Sequence, residues 1–159
     1  MKKLLILTCA LLFGISSFAY SPRNIDEKLV HAFSVSFPKA EKVSWQELTQ
    51  AYIVSFVDNG IRSRITYQKK DGAILSYIRY YFEETLPVNI RLSIKQEFPG
   101  KKIWGVVEVS TQPNADEQEP GQALQTFYYV KLESTSTWTT VKLDANGESE
   151  VIERYRKAL

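Results

Sequence analysis

The chain has a single cysteine, a single histidine and no apolar run long enough to cross a bilayer as a helix. Its longest apolar stretch, residues 4–15, follows Lys2 and Lys3 and precedes the small-x-small tripeptide Ser17-Phe18-Ala19. A spanning helix needs about 20 apolar residues, so the stretch reads instead as a secretory signal peptide, residues 1–19, cleaved after Ala19. Cys9 lies inside it, preceded by Leu7-Thr8 and followed by more apolar residues, which does not fit a lipidated cysteine. Residues 20–159 then carry no cysteine, which excludes disulfides, a thiol nucleophile and thiolate-bound metal. The expected location is periplasmic or secreted, with no transmembrane segment after cleavage.

Net charge is also scarce. Lys and Arg number 20 against 18 Asp and Glu, and loss of Lys2 and Lys3 leaves 18 against 18. A neutral chain gives no footprint for nucleic acid or a polybasic membrane contact. There is no glycine-rich phosphate loop, no nucleophile elbow and no calcium-loop spacing. His31 falls opposite the apolar stripe of its helix, as a solvated side chain would. Glu83-Glu84 and the group Asp116, Glu117 and Glu119 are paired carboxylates, but they sit beside turns or in an acidic loop. Acid/base work needs one desolvated partner with a raised pKa. No catalytic set, cofactor or metal site is expected, and the chain reads as a non-enzyme.

What the sequence has in quantity is aromatic residues, 13% of the chain, arranged in a pattern that occurs twice. Ile25, Leu29, Phe33 and Phe37 recur at a helical period, with Asn24 placed to cap the helix, Glu27 three residues on and Pro38 ending it. Leu86, Ile90, Ile94 and Phe98 repeat the stripe, and Pro99-Gly100 stop it. Leu92 falls off the stripe. Strands are expected at 42–47, 51–58, 61–68 and 73–81, then at 102–110, 127–133, 137–143 and 148–155. Asp58-Asn59-Gly60, Asp71-Gly72 and Asn146-Gly147 supply turns, because these residues tolerate positive φ. Tyr52, Val54 and Phe56 match Tyr128, Val130 and Leu132 as the core side of corresponding strands. Residues 112–125, acidic and rich in Pro and Gln, read as a long hairpin loop.

The expected architecture is thus α+β: a tandem repeat of one helix plus a four-stranded antiparallel sheet, about 22–82 and 85–157, in a single domain of residues 20–159. Its helices would cover one sheet face and leave the other open.

With Val43-x-Trp45, Tyr52-x-Val54-x-Phe56, Asp71-Gly72 and Leu86-Pro87 in place behind an export signal, the chain resembles the PepSY-like family of exported, β-lactamase-inhibitor-like proteins. The resemblance runs over residues 22–155. It implies the tandem helix-plus-sheet fold and an exported location, and it assigns no binding or catalytic residue.

Strict alternation along the strands places Arg62, Arg64, Tyr77, Arg79 and Tyr81 outward in the first half. In the second it places Tyr129, Lys131, Trp138, Lys142 and Arg154 outward. Two readings of this set are open. The aromatics can be cross-strand pairs on an ordinary solvent face. Alternatively, Arg62, Arg64, Tyr77, Arg79, Tyr81, Tyr129 and Trp138 form a binding face, since Tyr, Trp and Arg dominate interface hot spots. The partner would be an unknown protein, a peptide or a glycan. The expected function is an exported, non-catalytic binding module that inhibits or senses a protein, with an envelope carbohydrate-binding protein as the alternative.

Overall fold

The structure, a computed structural model, describes residues 25–113 and 123–158. The expected signal peptide, Asn24 and the middle of the acidic loop, including Asp116, Glu117 and Glu119, lie outside the described residues.

Helix α1 (Glu27–Ser36) precedes strands β1 (Glu41–Glu47), β2 (Ala51–Asp58), β3 (Ile61–Gln68) and β4 (Ile74–Tyr81). A 3-10 turn at Glu83–Thr85 leads into α2 (Val88–Glu97), followed by β5 (Lys102–Thr111), β6 (Gln125–Glu133), β7 (Thr137–Asp144) and β8 (Ser149–Arg156). All eight strands join one antiparallel sheet in chain order, with β4 hydrogen-bonded to β5.

Asp26 is the N-cap of α1, its carboxylate accepting from the Lys28 amide at 2.9 Å. The expected cap, Asn24, is two residues too early. Both are Asx residues able to satisfy a free helix amide, and the helix takes the one directly before its first turn. Pro38 and Pro99 each stand one residue past a helix whose last cap is phenylalanine.

The two apolar stripes face the same side of the sheet. Ile25, Leu29, Phe33 and Phe37 pack with Trp45, Val54, Phe56, Ile65 and Tyr67. Leu86, Ile90, Ile94 and Phe98 pack with Ile103, Val106, Tyr128, Val130, Leu132, Val141 and Leu143. Ile90 and Ile94 are almost fully buried, and each contributes about 1.5–3 kcal/mol relative to exposure. Leu92 and His31 point to solvent.

Strand β4 contributes to both cores. Tyr77 packs on the first, Tyr81 belongs to the second, and Arg79 lies between them.

Four irregularities shape the sheet. In β1, Lys42 adopts φ 52° where the pairing with β2 shifts between Glu41 and Ser44. In β4, Leu75 is an extra residue between Ser76, which pairs with Thr66, and Ile74, which pairs with Tyr67. In β5, Trp104 is skipped between Ile103 and Gly105. In β8, Ile152 is extra between Val151 and Glu153. The first and last of these lie on the two edge strands, which are also rich in charge. A bulge with flanking charges discourages pairing with another chain's edge. The β7–β8 turn is tucked close to α2: a Cβ at Gly147 (φ 90°) would stand 2.6 Å from Ser93 Oγ.

Candidate functional site: the open sheet face

In the register of β1 to β8, Val54, Ile65, Tyr77, Glu108, Tyr128, Val141 and Val151 face the helices. Their neighbours in each strand face the other way. Among the described residues neither helix packs on that second side, since all helix residues in the two cores meet the first.

Four of the seven expected site residues, Arg62, Arg64, Tyr129 and Trp138, are on the open face. Arg62 pairs with Val57 and Tyr80, Arg64 with Ser55 and Ile78, Tyr129 with Val107 and Lys142, and Trp138 with Glu133 and Tyr155.

The other three, Tyr77, Arg79 and Tyr81, are on the helix side. Tyr77 is opposite Ile65 and meets the ring of Phe37 at 6.0 Å, and Tyr81 is 5% exposed in the second core. The cause is Leu75. The register leaving the β3–β4 turn would set Tyr77 against Arg64, but one inserted residue moves it onto Ile65 and inverts every later side chain of β4. Ile152 does the same in β8, turning Arg154 to the helix side opposite Thr139 and Tyr155 to the open face.

The residues displaced from the open face form a buried polar network. Arg79 Nε donates to Glu108 Oε1 at 3.0 Å, its Nη2 forms a shorter contact to the same oxygen, and Tyr81 OH donates to Glu108 Oε2 at 2.8 Å. The Arg79 guanidinium also lies 5.1 Å from the Tyr77 ring and 5.7 Å from the Tyr81 ring. Glu108 is 1% exposed, and no described buried side-chain polar atom lacks a partner. Alternation hid this carboxylate. In Val106-Val107-Glu108-Val109-Ser110 a reader expects the valines inward, yet Val107 and Val109 face out.

Burial pushes the Tyr67 phenol up to about 12 and raises Tyr77 and Tyr128. Tyr81 is raised by burial first and then by its hydrogen bond to Glu108. The folded protein therefore holds these protons more tightly than the unfolded chain, whose phenols titrate near pH 10. The associated stability is fully present below about pH 10 and is lost as pH climbs toward the folded values. Urea unfolding is expected to give equal midpoints near pH 7 and pH 9 and a clearly lower one near pH 11. Phenolate absorbance should show these tyrosines ionising together with unfolding.

On the open face, aromatic residues and lysines gather over β5 to β8. Trp104 is 60% exposed, and its ring meets Trp138 edge-on at 5.8 Å and 84°. Lys131 Nζ lies 5.2 Å from the Trp138 ring and 5.3 Å from the Tyr155 ring, and donates to Tyr155 OH at 2.6 Å. Lys157 Nζ lies 4.9 Å from Trp138 on its way to Glu133, 2.6 Å away. That contact holds the Glu133 carboxyl below its usual range. Each exposed cation–π contact is worth about 0.5–1 kcal/mol and favours this arrangement of the rings.

Sequence reasoning missed Trp104, Tyr80 and Tyr155 on this face. Gly105 within a strand was the signal available for Trp104, because an interior strand glycine often marks a bulge.

The paired carboxylates singled out in the sequence, Glu83-Glu84, are not part of this face. Glu83 is held by Lys95, and Glu84 is exposed. Among the described residues no three His, Cys, Asp or Glu side chains group as metal ligands, and no helix is long and apolar enough to cross a membrane.

No family profile and no curated protein matches the chain. Solved structures do. A BLIP-like protein from Bacteroides fragilis is 13% identical, with 82% of this chain and 85% of that one covered and a TM-score of 0.55. A DUF2874 family protein from Bacteroides uniformis is 16% identical, with 83% and 89% covered and a TM-score of 0.53. A protein from Bacteroides eggerthii provisionally assigned to the periplasm is 16% identical, with 82% and 88% covered and a TM-score of 0.53. At these identities the likeness is one of fold: an eight-stranded antiparallel sheet with two helices, similar to a BLIP-like protein.

Proposed function

We propose that this protein is an exported, non-catalytic binding module that holds a protein partner against its open sheet face, inhibiting or sensing it. The observation that carries the reading is the cluster of Trp104, Trp138, Tyr155 and Lys131. Aromatics beside a cation, on a face that no helix of the described residues covers, are the residue types that anchor protein interfaces. The provisional periplasmic assignment of one structural neighbour and the leader-like residues 1–19 support export. The neighbours' fold is compatible with PepSY-like membership and with two α-ββββ units at about 22–82 and 85–157. Each helix packs on its own core on one side of the single sheet, α1 over residues of β1 to β4 and α2 over residues of β4 to β7.

A protein is favoured over a glycan by ring geometry. Trp104 and Trp138 stand at 84° to each other, whereas stacking along a sugar chain uses rings lying flat to the surface.

The test is affinity capture from periplasmic extract, identification of the captured protein, and calorimetry with that protein after purification. Trp104→Ala with Trp138→Ala is expected to weaken binding at least 30-fold, the loss of about 2 kcal/mol typical of hot spots. Equal affinity of the double variant would overturn the reading. A glycan array that lights up with wild type and goes dark with the same variant would replace the protein partner by a carbohydrate.

A further inference from the structure

The open face differs in chemistry between its two ends. Over β5 to β8, Lys131, Lys142 and Lys157 lie over aromatic rings, and Lys157 also meets the Glu133 carboxylate. Over β1 to β3, Lys42, Arg62 and Arg64 line one depression of about 250 Å³, together with Ser55, Val57 and Tyr80. None of the ion pairs among the described residues includes any of the three. The register also places Glu41 opposite Val57, and Glu41 pairs with none of them.

Two local features run against folding on its own terms. Arg62 and Arg64 share one face of β3 two residues apart, about 7 Å in an extended strand, and like charges so placed repel. Lys42 holds φ 52°, a left-handed conformation unusual outside Gly, Asn and Asp. The bulge brings this third cation to the rim of the same depression. A non-glycine residue in such a conformation is a recognised pointer to function.

We propose that this corner is a carboxylate-binding subsite for an acidic segment of the protein partner. The inference rests on reading the open face as the partner surface. Arg62 and Arg64 stand at alternate positions of β3, their Cα atoms about 7 Å apart, the same repeat that sets acidic side chains on one face of an extended segment, Glu-x-Glu, so that each carboxylate can meet one fork. Tyr80, 41% exposed, has the Arg62 guanidinium over its ring at 6.0 Å, which keeps that fork at the depression. The cross-strand row Arg62, Tyr80, Val107, Tyr129 joins the subsite to the aromatic end. One partner can therefore engage acidic groups at one end and apolar groups at the other.

The probe is the blocked peptide Glu-Val-Glu-Val-Glu, titrated into the isotopically labelled protein and followed by amide chemical shifts. Shifts are expected at Arg62, Arg64 and Tyr80, with affinity falling at least tenfold in Arg62→Gln/Arg64→Gln and falling steeply with salt. The two single variants, each expected to lose part of the affinity, serve if the double variant misfolds. The Gln-Val-Gln-Val-Gln peptide should move none of these signals.

Silence of the acidic peptide at these residues, equal binding by the Gln variants, or inorganic phosphate binding as tightly as the peptide would each overturn the subsite. Trp104→Ala/Trp138→Ala should leave the peptide titration unchanged. If the peptide binds while partner capture ignores the tryptophans, the partner-face reading fails and the carboxylate site stands. If capture needs the tryptophans while the peptide is silent, the subsite alone fails.

Discussion

Replacing Arg79 with methionine is expected to cost about 3–5 kcal/mol of folding stability, because it strands the Glu108 carboxylate in the interior. The pair is asymmetric: the Arg79 side chain is 35% exposed and that of Glu108 is 1% exposed. Without Arg79, Glu108 keeps only neutral phenols, the Tyr81 hydroxyl and that of its cross-strand partner Tyr128, and a buried carboxylate without a cation is poorly compensated. Glu108→Gln is expected to cost less, about 1–2 kcal/mol, since the guanidinium it frees can turn outward to water. In Arg79→Met/Glu108→Met both charges go, so the double variant should be more stable than Arg79→Met alone. Urea unfolding of the three variants measures this ordering. Glu108→Gln proving as damaging as Arg79→Met would show that the network acts through something other than carboxylate desolvation.

The network lies where the two cores meet, and its absence from the sequence reading shows where that reading stops. The helices were legible because the stripes Ile25–Leu29–Phe33–Phe37 and Leu86–Ile90–Ile94–Phe98 repeat a period that no single residue disturbs. The strands were legible through their turn residues, and Tyr52, Val54 and Phe56 do face the core. A strand's period of two has no such tolerance, because one added residue inverts everything after it. Leu75 and Ile152 look like ordinary strand residues, and nothing local marks them as extra. Hence Arg62, Arg64, Tyr129 and Trp138 lie on the open face, whereas Tyr77, Arg79, Tyr81 and Arg154, expected there too, lie on the helix side. Trp104 was hidden by the same device in β5, although Gly105 hinted at it. Whether the halves share one sheet depends on β4 meeting β5 across an intervening helix, a long-range pairing with no local sequence mark.

That pairing carries a prediction of comparable size for Phe33→Ala. Phe33 is 4% exposed and its ring meets Phe37 at 5.2 Å, Trp45 at 5.4 Å and Phe56 at 5.0 Å, the last two edge-on. Its removal takes away the hub that fixes α1 to β1 and β2, at about 3–5 kcal/mol. The loss should not stay in the first half. Phe33 belongs to the first core, yet the halves share continuous hydrogen bonding from β3 through β4 and β5 to β6. The Arg79–Glu108 network sits on that seam. Unfolding β1 to β3 would expose β4, and with it Tyr81 of the second core and the buried carboxylate. Partial unfolding is therefore nearly as costly as complete unfolding, and cooperativity follows. In a Trp45→Phe background the remaining tryptophans, Trp104 and Trp138, report only on β5 to β8. Phe33→Ala in that background should move their fluorescence transition by as much as it moves the far-ultraviolet circular dichroism of the whole chain. A tryptophan transition left where it was, with the dichroism split in two, would mean that the seam does not couple the cores and that each helix stabilises its own four strands alone.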